Sequence, residues 1–382
     1  MLKAVSMVAS VVALLMFAAL PAKAAAAPAD PPSVTAKDEP VAGISIIKGS
    51  PARIADWPWQ VAIADRNGKG RKRTARKRTF CGGAVIAPDL VLTAGHCVAR
   101  LRKSQARRLE IIAGRTWLNR ESTGETSTVR EVLMPTDASG KRRYREQYGS
   151  ADWDVAILRL GSPLAATPIK LAGPDEYRSW APGQTVHTTG WGVRRPESSL
   201  ASPRLRMATQ VMLKSKICRM DNGRNFRPAT MNCHGAPGGN SSTCFGDSGG
   251  PSVTTVGTEH RLVGLTSFGD DFCRGNYPSV DARVAGKAIR SWVAATAMAV
   301  SGVDVVGTGG EVAAPRSWCR VPHLWGLTPS QARKKLRQNR CELGSVGRDR
   351  YSRGSKGRIV GTSRFPGWLA PVGFRLKVWM PG

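Results

Sequence analysis

The chain has 382 residues, with 57 Lys and Arg against 27 Asp and Glu, a formal net charge of +30, and 41% hydrophobic content. That apolar content excludes a disordered chain, and the length allows one large domain plus a small one. The charge draws polyanions by long-range attraction but identifies none of them.

In chain order, Lys3 precedes an apolar run from Ala4 to Leu20, then Pro21 and the small-residue pattern Ala22-Lys23-Ala24. This reads as a secretory signal peptide, residues 1–24, removed after Ala24. A membrane anchor is the alternative, but the run is shorter than the roughly 20 apolar residues that span a bilayer. No retained membrane span is expected, and the mature protein is expected to be secreted, periplasmic or in the cell envelope. Eight cysteines suit such an oxidising space. Export also argues against nucleic acid as a partner.

Residues 25–45, rich in Ala, Pro and Asp without apolar period, read as a pro-segment or spacer. From Trp57 to about Ser279 the pattern becomes short β-branched runs separated by Gly, Pro, Asn and Asp. WPWQVAIA, GAVIAPDLVLTA, LEIIAG, STVREVLM, VAILRL, QTVHTTGW, RMATQVML and HRLVGLTSF are each expected to form a strand. So many short strands predict a mainly β fold, a barrel or sandwich, rather than βαβ units. Ile289, Trp292, Val293 and Thr296 at i, i+3, i+4 and i+7 predict a closing helix, and residues 297–315 a linker. Thr328, Pro329 and Gln331 then form a capping-box signature that opens a helix with Ala332 and Leu336 on one face. With the alternating segments GRIVGTS and FRLKVWM, residues 316–382 read as a small α+β module.

Three separated pieces carry chemistry: TAGHC at 93–97, DWDVAILRL at 152–160 and TCFGDSGGP at 243–251. Their order, His then Asp then Ser, and their local contexts resemble the trypsin/chymotrypsin-like serine proteases over about residues 46–296. The resemblance implies a chymotrypsin-like double β-barrel with a C-terminal helix, acting on protein or peptide substrates. A Ser hydroxyl is a poor nucleophile at neutral pH and needs a neutral imidazole to take its proton. By the resemblance Ser248 attacks, His96 is the base, and a buried carboxylate orients the imidazole. Asp152 and Asp154 compete for that last role. Asp154 is preferred because it directly precedes VAIL, and Asp152 would point to the other side of an extended segment. The N–H groups of Gly246 and Ser248 would form the oxyanion hole. The other histidines, His187, His234, His260 and His323, are expected to be packed.

The resemblance extends to activation. IIKG at 46–49 is similar to the mature N-terminus of family members, apart from Lys48. It implies cleavage between Ser45 and Ile46, burial of the new amine, and its pairing with Asp247. The floor of the specificity pocket would be Ser242, with Gly269 and Ser279 on its walls, a neutral pocket for a bulky apolar side chain. Asp270 and Asp271 leave open a preference for a basic one, and Ser267 through Gly269 would pair with substrate backbone. The family frame implies the disulfides Cys81–Cys97, Cys218–Cys233 and Cys244–Cys273, leaving Cys319 and Cys341 for the tail. No cofactor and no metal are expected. Where some relatives bind calcium, Arg115 takes a position that would need a carboxylate.

The run from Arg66 to Arg78 holds eight basic residues and no acid, and Arg100, Arg102, Lys103, Arg107 and Arg108 form a second group. Such charge suits docking of acidic substrates or adhesion to anionic envelope polymers. VPHLWGLTPSQARKKL at 321–336, with GRIV, FPGW and FRLKVWM, resembles a PASTA domain, which implies an association with peptidoglycan. The alternative to an enzyme is a catalytically silent envelope-binding protein that uses the protease fold as a binding module.

Overall fold

The computed structural model describes residues 46, 49–66, 74–147, 149–236, 241–273, 275, 277–309, 318–349, 354–364, 366 and 369–382. The expected signal peptide and pro-segment, and residues 67–73 of the basic run, lie outside the described residues.

Six strands close a first barrel: β1 (Gln60–Asp65), β2 (Thr79–Ala87), β3 (Leu90–Thr93), β4 (Leu109–Ala113), β5 (Glu125–Leu133) and β6 (Ala156–Leu160). Every pairing is antiparallel, in the ring order β1-β2-β3-β6-β5-β4. The expected single strand GAVIAPDLVLTA is two, because Pro88 cannot donate to a ladder and the Pro88-Asp89 turn folds β3 back on β2. Val61, Ile63, Val85, Leu92, Ile111 and Ile157 are fully buried in its interior.

A second six-strand ring follows: β7 (Thr185–Gly190), β8 (Arg206–Met212), β9 (Met231–Gly235), β10 (Pro251–Val256), β11 (Glu259–Phe268) and β12 (Ser279–Ala282). Its order, β7-β8-β9-β12-β11-β10, repeats the connectivity of the first barrel. The sequence pattern misses β9, β10 and β12, which read MNCHG, PSVTTV and SVDA and lack a clear alternation. A buried polar contact links the two barrels: the Thr189 hydroxyl on β7 donates to the fully buried Gln60 side chain on β1 at 2.5 Å.

The closing helix spans Lys287–Ser301 and buries Ile289, Val293 and Ala297, an i, i+4, i+8 stripe. It ends at Gly302, whose φ of 68° is the left-handed cap that glycine adopts without strain. The boundary at residue 297 therefore needs correction. After the helix the chain returns to the second barrel, where Leu171 N–H donates to Val305 O and Gly307 N–H to Leu171 O, both at 2.8 Å, with Val305 fully buried. Beneath it, Arg261 pairs with buried Glu176 at 3.0 Å, and an added Cβ at Gly307 would lie 2.1 Å from the guanidinium. The apolar content of residues 302–307 lacks a period because they form a bridge rather than a helix or full strand.

The C-terminal module has its own core. Thr328 caps the helix Pro329–Gln338 in a reciprocal box with Gln331, and Ala332 and Leu336 are fully buried. Strands Glu342–Asp349 and Arg375–Pro381 pair in parallel, Gly361–Thr362 joins antiparallel, and Trp318–Arg320 pairs with Leu369–Pro371. Cys319, Val321, Leu324, Ile359, Leu376 and Val378 pack with the two helix residues.

Four disulfides are present, Cys81–Cys97, Cys218–Cys233, Cys244–Cys273 and Cys319–Cys341, and they leave no free cysteine among the described residues. Closing a loop of the size of Cys81–Cys97 is worth about 3 kcal/mol in the chain-entropy picture. They suit a protein working in an oxidising space outside the cytosol.

Candidate active site

His96 sits in a single 3-10 turn, Gly95–Cys97, that follows β3, and Asp154 lies just ahead of β6, the next strand in the ring. The register of β3 against β6 brings the two together. Asp154 is fully buried and accepts His96 N–H on Oδ1 at 2.7 Å; its Oδ2 meets His96 Nδ1 at 2.8 Å and accepts the Ser267 hydroxyl at 2.5 Å. A carboxylate only accepts, so the proton of this contact belongs to Nδ1 and the lone pair to Nε2. Burial pulls the imidazole pKa down, but the hydrogen bond and charge of Asp154, with the charge of Glu146, outweigh it, and the net shift is upward.

Asp152 takes a different direction. It pairs with Arg227 at 3.2 Å and accepts from the Thr230 hydroxyl, so its carboxylate is turned to groups of the second barrel. Trp153 between the two acids has φ 53°, and this left-handed kink sends them apart.

Ser248 is held against the His96 loop by its carbonyl, which accepts Gly82 N–H at 2.8 Å and touches Cys97 Sγ at 3.8 Å. The Cys81–Cys97 bridge joins those two tethers. In the same turn Asp247, Gly249 and Gly250 donate their N–H groups to carbonyls, whereas those of Gly246 and Ser248 have no acceptor among the described residues. Gly246 has φ 92°, a conformation a side chain would strain.

Ser248 also lines a crevice of about 160 Å³ with Thr243, Phe245, Phe268, Gly269, Asp270 and Asp271. Of the three expected pocket residues, Gly269 lines it. Ser242 and Ser279 are buried and instead bond Thr243: Ser242 donates to its carbonyl at 2.9 Å, and its hydroxyl donates to Ser279 at 3.0 Å. Thr243 belongs to the lining.

A model of the trypsin family matches residues 46–293. The chain belongs to that family. A protein described as Trypsin from Saccharopolyspora erythraea is 32% identical over 239 residues, which covers 63% of this chain and 93% of that protein. The chain is thus a serine endopeptidase of the trypsin family, with protein or peptide substrates.

Within this trypsin-family domain Asp247 is 2% exposed and accepts N–H groups of Gly192 at 2.8 Å and Cys244 at 3.0 Å. Burial pushes its pKa up to about 6, against those two bonds. Gly190 and Gly192 are tight against it; an added Cβ would come within 2.1 Å and 2.4 Å of the carboxylate. Sequence reasoning missed both glycines, although the TTGWG run at the end of an expected strand was a usable sign. Ile46 is 1% exposed, with its carbonyl accepting Gly49 N–H.

Arg115 places its guanidinium on the carbonyls of Thr123 at 2.8 Å and Glu121 at 3.1 Å, so a cation fills the loop where a metal would need acids. Cys81, His96 and Cys97 also cluster, but both sulfurs are in the disulfide and cannot act as thiolate ligands. In the basic run, Arg78 pairs with Glu110 at 2.7 Å and Arg76 donates to Ala201 O at 2.6 Å, so these two are structural rather than free. His187 and His260 pack on Trp57 and His234 is fully buried, whereas His323 is exposed and departs from the expectation that it packs.

Proposed function

We propose that this serine endopeptidase is exported after loss of residues 1–24 and works through Ser248, His96 and Asp154. The observation that carries the reading is the double engagement of His96 by buried Asp154, through its main chain and Nδ1, beside a crevice lined by Ser248. Ser248 Oγ attacks the scissile carbonyl while His96 Nε2 takes its proton, and Asp154 stabilises the imidazolium. The N–H groups of Gly246 and Ser248 receive the oxyanion, a contribution of about 3–4 kcal/mol per donor. His96 then protonates the leaving amine, and water repeats the sequence on the acyl-enzyme to release the acid. Activity requires cleavage between Ser45 and Ile46, after which the new amine pairs with Asp247.

Cleavage follows bulky apolar residues in this reading, because Thr243, Phe245 and Phe268 supply a neutral, partly aromatic lining. Asp270 and Asp271 in the same lining favour a second preference, for Lys or Arg, which a mixed peptide library distinguishes directly. The C-terminal module, on its PASTA-like pattern and basic surface, attaches the enzyme to anionic envelope polymers.

A fluorophosphonate probe tests the catalytic reading against that of an inert binding module. The processed protein should be labelled and its Ser248→Ala variant should not. Absence of label on correctly processed protein would end the enzymatic assignment of these three residues.

A further inference from the structure

We propose that Arg333, Arg337, Arg340 and Arg375 form an anion-binding cleft in the C-terminal module, and that its ligand is a phosphate-bearing polymer without aromatic bases. This rests on the reading that the module binds anionic polymers, and it names the site and the chemistry. The four arginines line a cleft of about 510 Å³ together with Glu342, Leu343 and Val372.

Arg375 pairs with Glu342 at 3.3 Å, but the guanidinium groups of Arg333, Arg337 and Arg340 have no partner among the described residues. Arg333 and Arg337 are i, i+4 neighbours on the helix Pro329–Gln338, a spacing at which like charges repel. Nor do they cap the helix. Its last carbonyls receive Arg340 N–H, Cys341 N–H and the Asn339 side chain, at 3.0, 2.9 and 2.8 Å.

Arg340 supplies an independent observation. The bonds Cys341 N to Leu336 O and Arg340 N to Arg337 O form a Schellman ending, and Arg340 occupies its left-handed position at φ 59°. Glycine fits that position without strain, so local stability alone favours glycine over arginine here. An arginine at this point, on the cleft wall beside two other unpaired guanidinium groups, is explained by a ligand.

The ligand chemistry follows from the lining. Arginine forks bind the oxygens of phosphate in pairs, and the two free oxygens of a phosphodiester project tetrahedrally rather than in the one plane of a carboxylate, so they can meet guanidinium groups that approach from different sides of the cleft. The volume exceeds a single phosphate, and Leu343 and Val372 offer an apolar surface for a polyol chain. Among the described residues no aromatic belongs to the lining, so these residues offer bases no stacking platform.

The test uses the full-length protein and poly(glycerol phosphate) as probe, with binding measured by calorimetry across a salt series. Arg333→Ala with Arg337→Ala should weaken binding about tenfold and lower the salt slope by about two. Lys334→Ala with Lys335→Ala removes the same charge from the same helix outside the cleft lining and should cost at most about twofold. Arg340→Gly should keep or raise the melting temperature and still weaken binding, which a purely structural arginine would not do. If both double variants weaken binding equally, the cleft is wrong and only net charge attracts. If the wild-type protein ignores the probe, the polymer-binding reading itself fails. Equal, arginine-dependent affinity for single-stranded DNA or polyglutamate would overturn the ligand chemistry.

Discussion

Among the described residues there are two His–Asp pairs, one associated with each barrel, and they differ in ways that residue identity does not reveal. His96 meets Asp154 at 2.8 Å and His234 meets Asp281 at 3.0 Å, and both carboxylates are fully buried. A serine accompanies each: Ser267 donates to Asp154 at 2.5 Å, and Ser252 approaches His234 Nε2 at 3.4 Å. The difference lies in what remains. Asp154 uses both oxygens, leaving His96 27% exposed with one nitrogen uncommitted. His234 is sealed at 0%, and its Nδ1 and Asp281 Oδ2 have no partner among the described residues. A base needs one ring nitrogen fixed by an acceptor and the other open to a substrate. The second pair meets only the first of these needs, and it joins adjacent strands β9 and β12.

The largest effect should separate the pairs completely. His96→Ala is expected to lower kcat about 10⁶-fold with little change in melting temperature. His234→Ala leaves Asp281 buried and unpaired and should cost about 3–5 kcal/mol of stability, with kcat of the folded fraction nearly unchanged. Steady-state kinetics together with urea unfolding of both variants check this. Loss of kcat in His234→Ala under conditions where it remains folded would break the comparison.

A somewhat smaller effect sharpens it at the carboxylate. Asp154→Asn leaves one acceptor oxygen where three donors converge, disfavours the Nδ1–H tautomer and should reduce kcat about 10⁴-fold. Asp152→Asn, two residues away, should retain activity and lose only its tie to Arg227 and Thr230. Parallel kinetics of the two variants at fixed pH decide it, and similar losses would mean that the turn, not the carboxylate, matters.

Much of this site was legible in the sequence because its parts lie in short contiguous motifs. TAGHC and GDSGGP each contain their own turn, and the directly following VAIL places Asp154 just ahead of β6. Local propensity likewise gave the tail helix, since Thr328 and Gln331 cap each other without outside help. What the sequence could not show depended on long-range packing. β9, with Cys and His among its five residues, becomes a strand only because β8 and β12 flank it. That Ser242 and Ser279 are held together through Thr243 depends on a bond between positions 36 apart in sequence, which no local pattern shows. The path of residues 302–307 is set by Leu171 and Arg261, more than a motif's length away.

A third buried carboxylate, that of Asp247, gives the smallest expected effect, because among the described residues it has neither histidine nor cation beside it. Burial raises Asp247 to about 6, against bonds from Cys244 and Gly192. A carboxyl that is harder to ionise in the folded chain binds its proton more tightly there than in the unfolded one. Its stabilisation is therefore complete below the ordinary carboxyl pKa of about 4 and is lost as pH rises to about 6, amounting to about 3 kcal/mol. Cleavage before Ile46 brings an ammonium to this carboxylate in the proposed activation, which lowers its pKa and removes the loss. His96, whose pKa is also raised, contributes stability that fades at higher pH, but it does so in both forms and cancels in their difference. Urea unfolding of cut and uncut Ser248→Ala protein between pH 4 and pH 7 should thus show the uncut form falling relative to the cut one up to about pH 6, then no further. Parallel curves would mean that the new amine never reaches Asp247, and activation would then have to work through some other contact of Ile46.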